Sequence, residues 1–166
     1  MCHQLDGLEE DLIKGLNKLC SPQTGLTFAA KIYLSGQNEG NTIIYETDKY
    51  PFNCIGPVRF LWHPKNLNEN RSIWIWSHPA IYKQVEDQLA FVFNLTKTTE
   101  QNSPQIKKRK MSEKMEDNEE CYESNDNLKI TLKSLKDKLN RFKLLGPMST
   151  TILANLLQTT DSKNES

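Results

Sequence analysis

The hydrophobic pattern is strongest between residues 56 and 93, where two strand patterns precede a helical one. In SIWIWS, at 72–77, tryptophans alternate with isoleucines, so apolar side chains face both sides of a strand. A strand that is apolar on both faces is typical of the middle of a sheet covered on both sides. We therefore predict that Trp74 and Trp76 are buried.

The neighbouring patterns complete this central unit. Alternating apolar residues predict a partner strand at 58–62, and a proline after His78 ends the strand at 72–77. Apolar residues spaced by four then predict a helix over 79–92.

The amino-terminal part predicts a helix and a hairpin. Leucines at steps of three and four indicate a helix over 7–19, with Asp6 as its cap. The runs 27–34 and 42–46 predict two strands, and the polar SGQNEGN between them is typical of a turn.

The composition changes after residue 95, where a polar and charged stretch with few large apolar side chains begins. Such a stretch cannot bury enough apolar surface to offset its ordering entropy, so we predict a disordered insert. The domain map is a first part of an α+β domain at 1–95, the insert at 96–127, the rest of the domain at 128–158, and a disordered tail at 159–166.

Beyond the insert, LKITL predicts a strand at 128–132. The stretch 139–145 fits a helix or a strand, and we favour a strand; a final helix is predicted over 149–158. The whole pattern predicts an α+β fold with a mixed or antiparallel sheet and packed helices.

Charge is balanced overall but unevenly distributed. The 166 residues carry 21 Lys/Arg and 21 Asp/Glu, yet residues 127–146 carry six basic side chains and one acidic one. A local basic excess favours a polyanionic partner. The four cysteines are far apart, and no apolar run has signal-peptide or membrane-spanning form, so we expect an intracellular chain with reduced thiols.

Some residues are candidates for contact with a nucleic acid. In a strand at 139–145, Arg141 and Lys143 would share the face opposite Phe142, although an ordinary solvated face has the same pattern. An exposed tryptophan could stack on a base, and Trp62 is the candidate because it is near a strand end. The complete set of candidates, which would contact RNA if the partner is an RNA, is Arg141, Lys143, Lys136, Lys138, Arg59, Arg71 and Trp62.

The run Lys107, Lys108, Arg109 and Lys110 lies in the predicted insert. Four consecutive basic residues in an accessible segment fit a nuclear-import signal or an RNA-contacting arm, and a solubilising cluster fits equally well.

No catalytic constellation is apparent. His63 and His78 each precede a proline, where a role in a turn is commoner than catalysis. Glu86 and Asp87 are assigned to a solvated helix face, and no nucleophile motif or phosphate loop occurs. We predict a protein that is not an enzyme, with no catalytic residues, no metal site and no cofactor.

Several motifs carry a resemblance to a known family. In order, these are TGLTFAA at 24–30, KYP at 49–51, GPVRFLW at 56–62, IWIWSHP at 73–79, and LNRFKLLGPMS with TTIL at 139–153. Together they resemble the large protein subunit of eukaryotic nuclear ribonuclease P and ribonuclease MRP. In that family a variable, basic insert separates the last two motifs, and Lys107–Lys110 falls in the corresponding stretch.

The resemblance implies a scaffold for a catalytic RNA, which itself hydrolyses the phosphodiester bond. Implied partners are ribonuclease P RNA, ribonuclease MRP RNA and other protein subunits, with precursor tRNA contacted indirectly and no membrane. The implied processes are 5′-leader removal from precursor tRNA and processing of precursor rRNA, in the nucleus and nucleolus. Family members are several times longer, so the chain is expected to be an internal or truncated fragment.

The family core is similar to the folate-binding, aminomethyltransferase-like α+β fold. That similarity leaves an alternative function, a folate-dependent aminomethyltransferase or a folate-binding protein. A pterin needs a positioned buried carboxylate, and no residue of the sequence marks one, so the RNA scaffold is preferred.

Overall fold

An antiparallel sheet organises the molecule. The computed structural model describes residues 1–22, 28–65, 70–98, 121–124, 129–139 and 141–157. Within these ranges the sheet has seven strands: β1 (Cys2–Leu8), β2 (Gly40–Tyr45), β3 (Cys54–Trp62), β4 (Asn70–Ser77), β5 (Leu95–Thr98), β6 (Cys121–Ser124) and β7 (Thr131–Ser134). The helices of the same ranges are α1 (Glu9–Leu16), α2 (Lys31–Leu34), α3 (Tyr82–Val92) and α4 (Ser149–Leu156), with 3₁₀ turns at Asn17–Leu19 and Pro79–Ile81. The predicted α+β fold with a mixed or antiparallel sheet is confirmed, and the described sheet is antiparallel.

The strand order is β2-β3-β4-β1-β7-β6-β5. β4 pairs with β3 on one side and with β1 on the other, so the predicted central position of the SIWIWS strand is correct. Ile73 lies opposite both Leu5 of β1 and Trp62 of β3. Paired residues share a face of the sheet, and this row of apolar side chains marks the face that the helices cover.

The hydrophobic core lies between that face and the helices α1 and α3. Leu12 and Leu16 of α1 and Val85 and Leu89 of α3 are fully buried in it. The strand residues packed in the same cluster include Leu5, Val58, Phe60, Trp62, Ile73, Ile75 and Leu132. The predicted helix over 79–92 is confirmed as the 3₁₀ turn followed by α3. Its entry is shaped by His78, whose Nδ1 accepts a hydrogen bond from the backbone N–H of Ala80, so the predicted turn role of this histidine is correct.

The predicted helix over 7–19 begins later than expected. Residues 2–8 form the inner strand β1, and α1 starts at Glu9 with Leu8, not Asp6, as its N-cap. Leucine spacings of three and four do not exclude a strand at the start of the stretch. Leu5 packs on the covered face beside Ile73, and β1 forms backbone hydrogen bonds with both β4 and β7. These interactions favour a strand over a helix at residues 2–8.

The predicted strand at 27–34 is wrong for the residues that the structure describes. Residues 28–30 form a turn and Lys31–Leu34 forms α2, so the predicted hairpin with 42–46 is absent from this described segment. The predicted strand at 42–46 is confirmed as β2, but its partner is β3. Phe28 contributes to the core as a buried ring, 4.4 Å from the ring of Phe60, rather than as a strand residue.

Two described strands overlap the predicted insert at 96–127. The structure extends β5 to Thr98 and contains β6 at Cys121–Ser124, because Leu95 and Tyr122 supply buried apolar side chains that the polar composition obscured. The rest of the predicted insert, at 99–120 and 125–127, and the predicted tail lie outside the described residues. The predicted strand at 128–132 corresponds to β7, shifted to Thr131–Ser134.

The carboxy-terminal part of the described chain differs from the core in its exposure. The predicted strand at 139–145 is wrong, since 139 and 141–145 contain no strand, whereas the predicted helix over 149–158 is confirmed as α4. Several large apolar side chains here face solvent: Phe142, Leu144, Leu145, Met148, Ile152, Leu153, Leu156 and Leu157. Among the described helices, none is long and apolar enough to cross a bilayer.

Candidate nucleic-acid interface

The face of the sheet opposite α1 and α3 carries two tryptophans. Alternation along β4 directs Trp74 and Trp76 away from the core that contains Ile73 and Ile75. We call this side the tryptophan face; its residues include Gln4, Asp6, Arg59, Leu61, Ser72, Trp74, Trp76, Thr131 and Lys133. Both indoles are half-buried, so the prediction that they are buried is wrong. The helices cover one side of the sheet, and this side stays partly open.

The two indoles form a defined aromatic pair. Their ring centroids lie 5.7 Å apart with an interplanar angle of 84°, an edge-to-face arrangement. Trp74 Nε1 donates to Gln4 Oε1 at 3.0 Å, and the His63 and Trp74 rings are nearly perpendicular, with centroids 4.3 Å apart. Partly exposed aromatic rings held in fixed orientation are able to stack on nucleic-acid bases.

Two arginines flank this pair. Arg59 lies directly opposite Trp76 in the β3–β4 ladder, and its Nη1 donates to Glu39 Oε1 at 2.9 Å. Arg141 donates from Nη2 to the same carboxylate at 2.7 Å, and its guanidinium carbon lies 5.4 Å from the centroid of the Trp76 ring. The arrangement therefore combines two guanidinium groups, one carboxylate and one indole at the surface.

The part of the tryptophan face formed by β1 and β7 has a different charge. Asp6 accepts hydrogen bonds from Gln4 Nε2 at 2.9 Å and from the Ser72 hydroxyl, and lies 3.7 Å from Lys133 Nζ. Asp6 and Lys133 carry opposite charges that offset each other, whereas Arg59 and Arg141 share a single carboxylate.

Comparison with known proteins finds one distant relationship. The chain is 26% identical over 197 aligned residues to the human ribonucleases P/MRP protein subunit POP1, and the match includes 95% of this chain. This chain is related to that subunit at low identity. It spans 19% of the length of the human protein. No protein-family model matches the chain.

Two predicted RNA-binding residues lie inside the protein. Trp62 is fully buried. Arg71 is 4% exposed; it pairs with Glu9 and donates from Nη2 to the backbone carbonyls of Leu34 and His63 at 2.8 and 2.6 Å. Both residues serve packing and internal hydrogen bonding, so neither side chain is free to contact an RNA.

The other predicted RNA-binding residues lie at the surface, and two of them converge. Arg59 and Arg141 meet at Glu39, whereas Lys136 and Lys138 are exposed in the turn after β7 and Lys143 is exposed in the irregular segment before α4. Arg141 and Lys143 do not share a strand face, because the segment lacks a strand. Lys107, Lys108, Arg109 and Lys110 lie outside the described residues.

Sequence reasoning misses Glu39 and misjudges Glu86. Glu39 sits in a polar turn, and nothing in its local pattern marks it as a partner of two distant arginines. The pattern of α3 assigns Glu86 to a solvated helix face, yet this residue is 1% exposed. Its carboxylate accepts from His3 Nε2 at 3.3 Å, Tyr122 Oη at 3.0 Å and Lys83 Nζ at 2.6 Å. The weak apolar pattern on that side of α3 cannot reveal these distant partners.

The Glu86 cluster bears on the folate alternative. Glu86 is a buried carboxylate, but both of its oxygens already accept hydrogen bonds from protein groups, so it is not poised for a pterin. Burial raises the pKa of Cys2 and of Cys20 to about 11, which disfavours their reactive thiolate forms. Within the ranges that the structure describes, no three His, Cys, Asp or Glu side chains are grouped closely enough to hold a metal ion.

Proposed function

We propose that this chain is a non-catalytic, RNA-binding scaffold unit that acts in ribonuclease P and ribonuclease MRP. The observation that carries the proposal is the tryptophan face, where Arg59 and Arg141 flank the partly exposed pair Trp74 and Trp76. Guanidinium groups bind phosphates and indoles stack on unpaired bases, so this combination suits an RNA strand. The relationship to the human ribonucleases P/MRP protein subunit supports the choice of particle.

In this proposal the bound RNA is the RNA component of either particle. The chain positions that RNA through phosphate and stacking contacts, and the RNA cleaves the phosphodiester bond. Together with other protein subunits, the chain would thereby support 5′-leader removal from precursor tRNA and the processing of precursor rRNA.

Nuclear and nucleolar localisation belongs to the same proposal. Lys107, Lys108, Arg109 and Lys110 are the import candidates. Changing all four to Ala in a tagged chain is expected to shift it from the nucleus to the cytoplasm. An unchanged nuclear signal would contradict the import role and leave the RNA-contacting and solubilising alternatives.

RNA affinity measured against salt tests the scaffold function. The wild-type chain is expected to bind ribonuclease P RNA and ribonuclease MRP RNA with an affinity that falls as salt rises, because binding releases counterions. The double variant Arg59→Ala/Arg141→Ala is expected to bind more weakly, with a salt slope smaller in magnitude by about 1 to 2.

A matched control removes the same charge elsewhere. Lys14 and Lys18 are exposed in and just after α1, on the other side of the sheet, so Lys14→Ala/Lys18→Ala is expected to change the affinity and slope much less. Equal effects of the two double variants would contradict a binding site on the tryptophan face. A wild-type chain that does not bind either RNA would refute the proposed function.

A further inference from the structure

The carboxylate of Glu39 holds two arginines that come from distant parts of the chain. Arg59 belongs to β3, whereas Arg141 lies beyond β7, and both donate to Glu39 Oε1, at 2.9 and 2.7 Å. Arg141 also reaches Oε2 at 2.7 Å. One anionic group therefore sits where two guanidinium groups converge, and this local cluster retains a net positive charge.

A phosphate group suits the same position. Carboxylate and phosphate oxygens are both bound by arginine through short, charge-assisted hydrogen bonds, and convergent guanidiniums are a common way to bind phosphate. Trp76 lies under the Arg141 guanidinium and holds it at the surface beside the indole pair. A phosphodiester between the arginines would thus lie beside the indole pair.

Glu39 is able to leave this position without disturbing the core. It precedes β2 in an irregular segment. The exposed fraction of the side chain is 30% for Glu39, 43% for Arg59 and 33% for Arg141. Ion pairs exposed to this degree contribute little to stability, so another anion can replace the carboxylate at small cost.

We infer that Arg59 and Arg141 form a phosphodiester-binding site and that Glu39 is an intramolecular competitor occupying the phosphate position. The inference rests on the proposed RNA-binding function, and it identifies where one RNA phosphate binds and what regulates that binding. Weakly held, non-specific phosphates do not displace the carboxylate, whereas a strand that also stacks on the indoles does. Glu39 therefore favours RNA segments with unpaired bases over duplexes that offer phosphates alone.

The variant Glu39→Gln tests the inference, because it removes the competing charge while keeping an acceptor oxygen and nearly the same shape. It is expected to tighten binding of a single-stranded oligouridylate roughly 3- to 10-fold at low salt, with a steeper salt dependence. It is also expected to reduce the preference for single-stranded over duplex RNA. Glu10→Gln, at an exposed position of α1, makes the same change in net charge on the covered side of the sheet and is expected to have little effect.

A double-mutant cycle shows whether the gain depends on the arginines. In an Arg59→Ala/Arg141→Ala background, Glu39→Gln is expected to leave RNA affinity unchanged, since no convergent site remains. Wild-type RNA binding that depends on the arginines but does not change with Glu39→Gln would overturn the inference and leave the proposed function intact. An equal gain from Glu10→Gln would also overturn it, because the effect would then be one of total charge.

Inorganic phosphate separates this inference from the RNA-binding function. If neither wild-type nor Glu39→Gln protein binds RNA, the proposed function fails. Titration of the Glu39→Gln protein with phosphate, followed through the indole NMR signal of Trp76, then tests whether the two arginines bind an anion, independently of RNA. A saturable shift that is weaker in the wild-type protein would support the site, and no saturable shift would overturn it.

Discussion

The indole Nε1–H of Trp62 donates a 2.9 Å hydrogen bond to the backbone carbonyl of Phe28. Trp62 ends β3 and is fully buried, so the bond gives the polar hydrogen of the ring a partner inside the core. It also fixes the turn before α2 against the sheet. Its position near a strand end led to the prediction that Trp62 contacts a ligand. The structure instead shows it as a core residue.

Trp62→Ala is therefore expected to lower the free energy of unfolding by about 3–5 kcal/mol, the range for truncation of a large core aromatic side chain. Trp76→Ala is expected to cost clearly less, because the Trp76 ring is partly exposed on the tryptophan face. Urea denaturation monitored by circular dichroism checks both values. An equal or larger loss for Trp76→Ala would contradict the assignment of the two faces.

Gly15 is expected to resist substitution although it lies inside a helix. A Cβ atom at this position would lie 2.1 Å from Cε1 of Phe93, so the side chain or the helix would have to move. Alanine favours the helix by about 1 kcal/mol over glycine, but overpacking costs typically about 1–3 kcal/mol. We expect Gly15→Ala to be destabilising overall, and Lys14→Ala, at the preceding exposed position, to be nearly neutral. A stabilised Gly15→Ala protein would contradict the close packing of α1 on Phe93.

The buried His3–Glu86 pair predicts loss of stability in acid. Burial lowers the pKa of His3 below its ordinary value of 6.5, against the opposing effect of Glu86. Hydrogen bonds from His3, Lys83 and Tyr122 lower the pKa of Glu86 from 4.5 to about 2. The unfolded chain therefore binds more protons than the folded one, first below about pH 6.5 through the histidine and then between about pH 4.5 and 2 through the carboxylate.

Stability is accordingly expected to fall as pH decreases from 7 toward 2, first through His3 and then through Glu86. The measurement is urea denaturation at a series of pH values. His3→Gln is expected to flatten the part of the curve just below pH 6.5, and Glu86→Gln the part below pH 4.5. A wild-type stability that rises from pH 7 to pH 5 would contradict a neutral buried imidazole.

The apolar side chains of α4 are exposed, so α4 is expected to tolerate polar substitutions with little loss of stability. Leu156 is 73% exposed, so Leu156→Ser is expected to change the free energy of unfolding by no more than about 0.5 kcal/mol. Leu12 is fully buried, and Leu12→Ala is expected to cost about 2–5 kcal/mol. Comparable losses at the two positions, measured by thermal and urea unfolding, would show that α4 packs into the cooperative core.

The candidate site is only partly accessible to sequence reasoning. Local charge and strand patterns select Arg59 and Arg141, and the structure brings the two together at Glu39. The same grounds select Arg71, which is buried against Glu9. Arg59 and Arg71 lie on opposite faces of the sheet, and Arg141 lies outside it. The local charge pattern encodes neither the face nor what packs against it.

The sequence by itself determined the local elements whose period is unambiguous. Alternation at β3 and β4, the four-residue spacing in α3 and the apolar stretch of α4 each specify one structure, because neighbouring residues alone create the pattern. The tertiary structure decided the rest. The stretch 2–8 became a strand because two neighbours satisfy its backbone, and residues 31–34 became a helix because β3 pairs with β2 instead. Tertiary packing also left the Trp74 and Trp76 side partly open, since α1 and α3 cover the other side of the sheet. Each of these features depends on contacts with residues distant in sequence, and local periodicity carries no information about such contacts.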